Sequence, residues 1–138
     1  MIWLLFPFLL PARAAAAAPA WEIEGKGHEG HPGLPALRRR ADDALGEALG
    51  RLRGTLDWAP GEVPIRWVLD VSPAPAALEG RPFFEAARTT FAEGQVRAVL
   101  PARKYFRRLD ALQPVLAHET AHAVLASLCG TPERYRAI

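Results

Sequence analysis

The sequence has little cysteine, little net charge and no long apolar run. Its single cysteine, Cys129, excludes an intramolecular disulfide, so the chain must be held together without one. Its formal net charge of +2 is too small to indicate a nucleic-acid partner. The apolar stretch from Ile2 to Leu10 is shorter than the roughly 20 residues that an ordinary membrane-spanning helix needs.

The overall composition is that of a globular protein. Half of the 138 residues are hydrophobic and 23% are charged, which suits one domain that can bury a core. Arg38, Arg39 and Arg40 form the densest basic run. We interpret this run as the solvated start of a helix rather than as a polyanion site.

Residues 1–20 have the features of an export signal. An apolar stretch is followed by an alanine-rich run ending at Ala18-Pro19-Ala20, whose small residues fit the signal peptidase rule. These features predict a periplasmic or secreted protein that begins at Trp21. No Lys or Arg precedes the apolar stretch, which departs from the usual pattern, so two alternatives stay open: residues 1–20 form an uncleaved membrane tether, or the true start lies upstream.

Residues 21–36 are rich in Gly, His and Pro and show no periodicity, which predicts a flexible leader. His28 and His31 lie there three positions apart. Such isolated pairs are mostly solvated, and we leave them out of the candidate site.

Residues 37–56 predict a long amphipathic helix. Apolar side chains recur every three or four positions, at Leu37, Ala41, Leu45, Ala48, Leu52 and Leu56. On the opposite side, Arg39 and Asp43, and then Glu47 and Arg51, are spaced for weak ion pairs. This helix is expected to be a scaffold.

The next segment predicts strands. Residues 65–71 are rich in branched and aromatic side chains in an alternating pattern, which predicts a strand with Ile65, Trp67 and Leu69 on one face. After a Pro- and Ala-rich loop and a short helix over 83–88, residues 89–92 and 95–100 predict two strands joined by a tight reversal at Glu93-Gly94. With the helices on either side, this order predicts an α+β domain over 37–138.

Near the C-terminus, residues 118–122 form the pattern H-E-x-x-H. His118 and His122 are four positions apart, so on a helix both imidazoles lie on one face, with Glu119 beside them. The flanking residues supply the helix: Pro114 suits its first turn, apolar residues surround the motif, and Gly130 suits its C-terminal cap.

Two explanations fit this pattern. The two histidines are either zinc ligands, or merely hydrogen-bonded groups on a buried helix. Placing two His and a Glu on an otherwise apolar helix is costly unless they have a function. We therefore favour metal binding.

The helix segment 115–125, VLAHETAHAVL, resembles that of gluzincin-type (peptidase-MA-like) zinc metallopeptidases, and the resemblance covers roughly residues 37–129. It implies a zincin-like fold in which a scaffold helix and a small mixed sheet pack on an active-site helix. It also implies a peptidase in which His118 and His122 bind Zn²⁺ and Glu119 is the general base that activates water. The peptide or protein substrate would add to the edge of the hairpin over residues 89–100.

One feature departs from this family's pattern. Catalytic zinc usually has three protein ligands, and in gluzincins the third is a Glu on a later helix. Here the one carboxylate side chain after the motif is Glu133, which lies closer to His122 in sequence than the third ligand of gluzincins usually does. The metzincin pattern is excluded, because it needs Gly and His at the positions that Leu125 and Leu128 occupy. The sequence predicts a domain incomplete at its C-terminus. The alternative is a complete chain that uses Glu133, a partner's residue or no third ligand.

Three further residues are candidates for a role in the site. Tyr105, Tyr135 and Arg108 could stabilise an oxyanion, although ordinary packing or surface positions are the favoured interpretation.

Other functions also stay open. The main alternative to the peptidase is a non-catalytic zincin-like envelope protein with a structural or vestigial zinc site. A further alternative is an anchored envelope protein in which the motif is incidental.

Overall fold

The computed structural model describes residues 21–56, 63–73, 87–92 and 94–136. The export signal predicted for residues 1–20 and most of the short helix predicted over 83–88 lie outside these ranges. The described elements, in chain order, are strand β1 (Glu22–Glu24), helix α1 (Leu34–Thr55), strands β2 (Ile65–Asp70), β3 (Arg88–Ala92) and β4 (Gln95–Pro101), helix α2 (Leu112–Cys129) and the short helix α3 (Pro132–Arg136). Within these ranges, no helix is both long and apolar enough to cross a membrane.

The four strands form one mixed sheet in the order β1-β2-β4-β3. β1, β2 and β4 are parallel, and β3 runs antiparallel to β4. The hairpin of β3 and β4 turns at Gly94, whose φ of 74° is in the left-handed region that glycine adopts readily. With α1 and α2 as the two main helices packed on this sheet, the predicted α+β class is confirmed.

The two faces of the sheet differ sharply in chemistry. On the helix-covered face, β2 contributes Trp67 and Leu69, and β4 contributes Val96, Ala98 and Leu100, to the hydrophobic core. Ile65 packs against the same core, so the predicted apolar face of β2 is confirmed. Because strand side chains alternate, the residues between them point to the opposite face, which carries most of the charge of the sheet.

Helix α1 is the predicted scaffold helix. It begins three residues earlier than predicted, with Pro35 in its first turn, and its apolar side, including Leu37, Ala41 and Leu45, is buried. The basic run Arg38 to Arg40 is exposed, as predicted. Of the two predicted ion pairs on this helix, the structure shows only the one between Glu47 and Arg51, at 2.5 Å.

The segment predicted to be a flexible leader is instead part of the fold. Trp21 is only 4% exposed and packs edge-on against Trp67. β1 follows it, and a backbone hydrogen bond of 2.9 Å from the Val71 amide to the Glu24 carbonyl extends the pairing of the two strands one residue past the end of β2. The prediction failed because a three-residue strand is too short to show a periodicity, while one buried tryptophan stabilises it through its large apolar surface.

The two histidines of this segment are also less solvated than predicted. His31 stacks on Phe106 with 3.7 Å between ring centroids, and its Nδ1 accepts a hydrogen bond from the Gly33 amide at 2.9 Å. His28 contacts the same phenyl ring edge-on. Both rings therefore help to fix the loop that leads into α1.

Candidate metal centre

Helix α2 carries the H-E-x-x-H residues near its middle and has 18 residues. Pro114 lies in its first turn. Its C-terminal cap is Gly130, with φ of 79° and an amide that donates to the Ala126 carbonyl at 3.3 Å. Both ends agree with the predicted helix.

One side of α2 is buried in the core, and the two histidines of the motif project from other sides of the helix. Leu116, Thr120 and Val124 are fully or almost fully buried. His118 lies two positions from Thr120, about 200° around the helix, and is exposed, while His122 is half-buried one turn later. Burial of the apolar side thus fixes the side from which the imidazoles project.

The two imidazoles point their Nε2 atoms at each other. These atoms are 3.0 Å apart, and the ring planes are inclined at 75°. Two nitrogens bound at 2.0 to 2.1 Å to a tetrahedral zinc ion lie about 3.3 Å apart, so the donor atoms and their separation suit that ion. The same distance fits an N–H···N hydrogen bond if one Nε2 carries a proton.

Glu119 is held by a residue that the sequence analysis did not single out. The hydroxyl of Thr89, on strand β3, donates to Oε1 of Glu119 at 2.5 Å. This contact joins the middle of α2 to the sheet and fixes the orientation of the carboxylate. Thirty positions separate the two residues in sequence, so no local pattern could have revealed the contact.

Tyr135 on the short helix α3 contacts the other side of the histidine pair. Its hydroxyl lies 3.1 Å from Nδ1 of His122. If Nδ1 donates its proton to this hydroxyl, Nε2 of His122 keeps its lone pair for a ligand. Burial, followed by the nearby charge of Glu119, raises the pKa of Tyr135, so its hydroxyl stays protonated at neutral pH.

Tyr105 and Arg108 are the other two residues that the sequence offers for stabilising an oxyanion. Tyr105 is 4% exposed, and its pKa is raised first by burial and then by the charge of Glu119. Arg108 is exposed. Tyr135 contacts the motif directly, through the hydrogen bond to His122.

The described ranges contain no group of three or more His, Cys, Asp or Glu side chains arranged to hold a metal ion. Glu133 is exposed on α3 and does not join His118 and His122 in such a group. The structure therefore brings together the two predicted histidine ligands, with Glu119 beside them. The alternatives for a third ligand stay those of the sequence analysis: a Glu on a later helix, Glu133, a partner's residue or none.

Comparisons of this chain with protein-family models, with curated proteins and with solved structures found no match.

Proposed function

We propose that this protein is a zinc-dependent peptidase that hydrolyses peptide bonds with metal-activated water. The observation that carries the proposal is the 3.0 Å approach of the His118 and His122 Nε2 atoms, next to a carboxylate fixed by Thr89. This arrangement combines two nitrogen ligands with a general base on one helix face. The resemblance of the motif helix to gluzincin-type enzymes supports the same proposal.

In this proposal His118 and His122 hold the ion through Nε2. The chemistry that zinc supplies in such a site is activation of water and polarisation of the scissile carbonyl. Glu119 accepts the proton of the attacking water and passes it to the leaving amine. The bond to Thr89 restricts the rotation of Glu119, so the carboxylate is oriented before a substrate arrives.

The position of β3 suits an extended peptide substrate. β3 is an outer strand of the sheet in the described ranges, and Thr89 joins it to the motif helix. A peptide that pairs with this strand would pass beside Glu119, and its backbone would hydrogen-bond to an edge that the described strands leave open. We propose that the exported protein, periplasmic or secreted, acts on such peptides.

The direct test is hydrolysis of a fluorogenic peptide library by the protein from Trp21 onward, supplied with zinc. We expect Glu119→Gln to reduce kcat/KM by at least about 100-fold, because it removes the general base while leaving both imidazoles in place. The matched control is Asp42→Asn, an exposed acid on α1, which should leave activity unchanged. Equal activity of the wild type and Glu119→Gln would contradict the proposal.

A non-catalytic zincin-like envelope protein with a structural or vestigial zinc site is the second candidate. The observation that favours it is the two-histidine set without a third ligand in the described ranges. Removal of zinc separates the candidates when circular dichroism and hydrolysis are both measured. A peptidase should lose activity and keep its fold, whereas a structural site should lose helical signal with the metal.

A further inference from the structure

The sheet face opposite the helices contains a cavity of about 500 Å³. Its charged lining comes from every strand of the sheet and from the turn after β4, and consists of Glu24, Asp70, Arg88, Arg97 and Arg103. Thr90 also lines it. A cavity of this size with charged groups in its lining can accept a side chain of a bound peptide.

The charges in this cavity are arranged by sign across the sheet. The acids lie on β1 and β2, and the arginines lie on β3, on β4 and just after β4. Neighbouring strands are about 4.8 Å apart, so Asp70 on β2 is about 10 Å from β3, two strands away. The part of the cavity nearest the outer edge of β3 is therefore basic.

Pairing within the cavity increases this asymmetry. Arg97 forms an ion pair with Glu24, and Asp70 accepts hydrogen bonds from the amide and hydroxyl of Ser72. Arg88 and Arg103 make no hydrogen bond or ion pair to another described residue. Two guanidinium groups that line the cavity thus have donors available for a ligand carboxylate.

The cavity lies next to the strand that the proposed substrate would pair with. Thr89 points toward α2 and bonds to Glu119, so its neighbours Arg88 and Thr90 point to the opposite face, into the cavity. The side chains of a peptide paired with β3 would alternate between the two faces of the sheet in the same way. Its side chains beside Arg88 and Thr90 would enter the cavity, while the intervening one would face the motif helix.

We propose that this cavity is a specificity pocket for an acidic side chain of the substrate, an Asp or Glu that Arg88 and Arg103 bind. The inference rests on the proposed peptidase function, because β3 is a substrate strand only in that case. In the substrate, the recognised acidic residue is the sequence neighbour of the residue whose side chain lies nearest Glu119. The two side chains point to opposite faces of the sheet. Preference for acid at this alternate position distinguishes the pocket from general attraction by a basic surface, which would not depend on position.

The test uses peptides blocked at both ends, in matched Asp/Asn and Glu/Gln pairs with the variable residue moved along the sequence. We expect the zinc-loaded protein to cleave the acidic member of a pair about tenfold faster, in kcat/KM, at one position only. Arg88→Gln should abolish this preference, and Arg88→Glu should reverse it toward a Lys peptide. Arg107→Gln, an exposed arginine outside the cavity, is the control and should keep the wild-type preference.

Binding to the Glu119→Gln variant separates this inference from the proposed function. If no peptide is cleaved but this variant binds acidic peptides more tightly than their amide partners, and Arg88→Gln abolishes the difference, the pocket stands and the peptidase proposal fails. If peptides are cleaved with no preference between the matched pairs, or if Arg88→Gln and Arg107→Gln have the same preference as the wild type, the pocket is refuted and the peptidase proposal is unaffected.

Discussion

Five side chains from three elements meet at the candidate centre. His118, Glu119 and His122 come from α2, and Thr89 reaches the carboxylate from β3. Tyr135 joins them from α3 through Nδ1 of His122. Each hydrogen bond restrains one side chain of the motif, so the arrangement of the motif depends on residues outside it.

Tyr135→Phe tests the restraint on His122. Removal of the hydroxyl leaves the ring in place but deprives Nδ1 of its partner, which normally fixes the tautomer and orientation of a metal-binding histidine. We expect zinc affinity to fall about tenfold or more, measured by competition with a chromophoric chelator. Arg136→Gln, an exposed change on the same short helix, should leave affinity unaltered; an unchanged affinity for Tyr135→Phe would show that the hydroxyl does not support His122.

The motif residues were predictable from sequence, and their partners were not. His118 and His122 occupy one helix face because of a four-residue spacing, which is a local property. Thr89 lies thirty positions before Glu119, and Tyr135 lies thirteen positions after His122. Those contacts depend on how the hairpin and α3 pack around α2, which no periodicity in a single sequence specifies.

At the scale of elements, the end of α2 is set by the left-handed backbone of Gly130. A β-carbon there meets no other atom within 4 Å, so the cost of a substitution comes from the φ of 79° alone. We expect Gly130→Ala to lower the free energy of unfolding by about 1 kcal/mol, measured by urea denaturation.

Gly50 provides the opposite case on α1. It is exposed within the helix, and an added β-carbon there also has no neighbour within 4 Å. Gly50→Ala should therefore raise the free energy of unfolding by about 0.5 to 1 kcal/mol. If both substitutions changed stability in the same direction, the assigned backbone conformations would be wrong.

Long, periodic elements were predicted well because their pattern repeats. α1, α2 and the hairpin of β3 and β4 each contain several turns or alternations, and their bounds agree with prediction within a few residues. β1 has three residues and offers no repeat. Its parallel pairing with β2, from Glu22 to Glu24, joins residues that are far apart in sequence, so no local pattern predicts it.

At the scale of the whole molecule, the N-terminal segment completes the core and the sheet together. Trp21 packs on Trp67, and β1 covers the open side of β2. We expect Trp21→Ala to lower the free energy of unfolding by about 3 to 5 kcal/mol, because it leaves a large cavity at a buried position. Denaturation monitored by circular dichroism gives the value.

Ile23→Ala is the matched control within the same segment. Ile23 is 39% exposed, so its truncation should cost no more than about 1 kcal/mol. If both substitutions changed the free energy of unfolding by the same small amount, residues 21–24 would be loosely attached, as the sequence predicts, and not part of the core.

The central claim for the molecule is that His118 and His122 together bind zinc. The most direct measurement is a calorimetric zinc titration of the protein from Trp21 onward, compared with His118→Ala/His122→Ala and with Glu119→Gln. The account predicts one ion per chain for the wild type and for Glu119→Gln, and no specific binding for the double histidine variant. Absence of zinc binding in the wild type, or undiminished binding in the double variant, would contradict it.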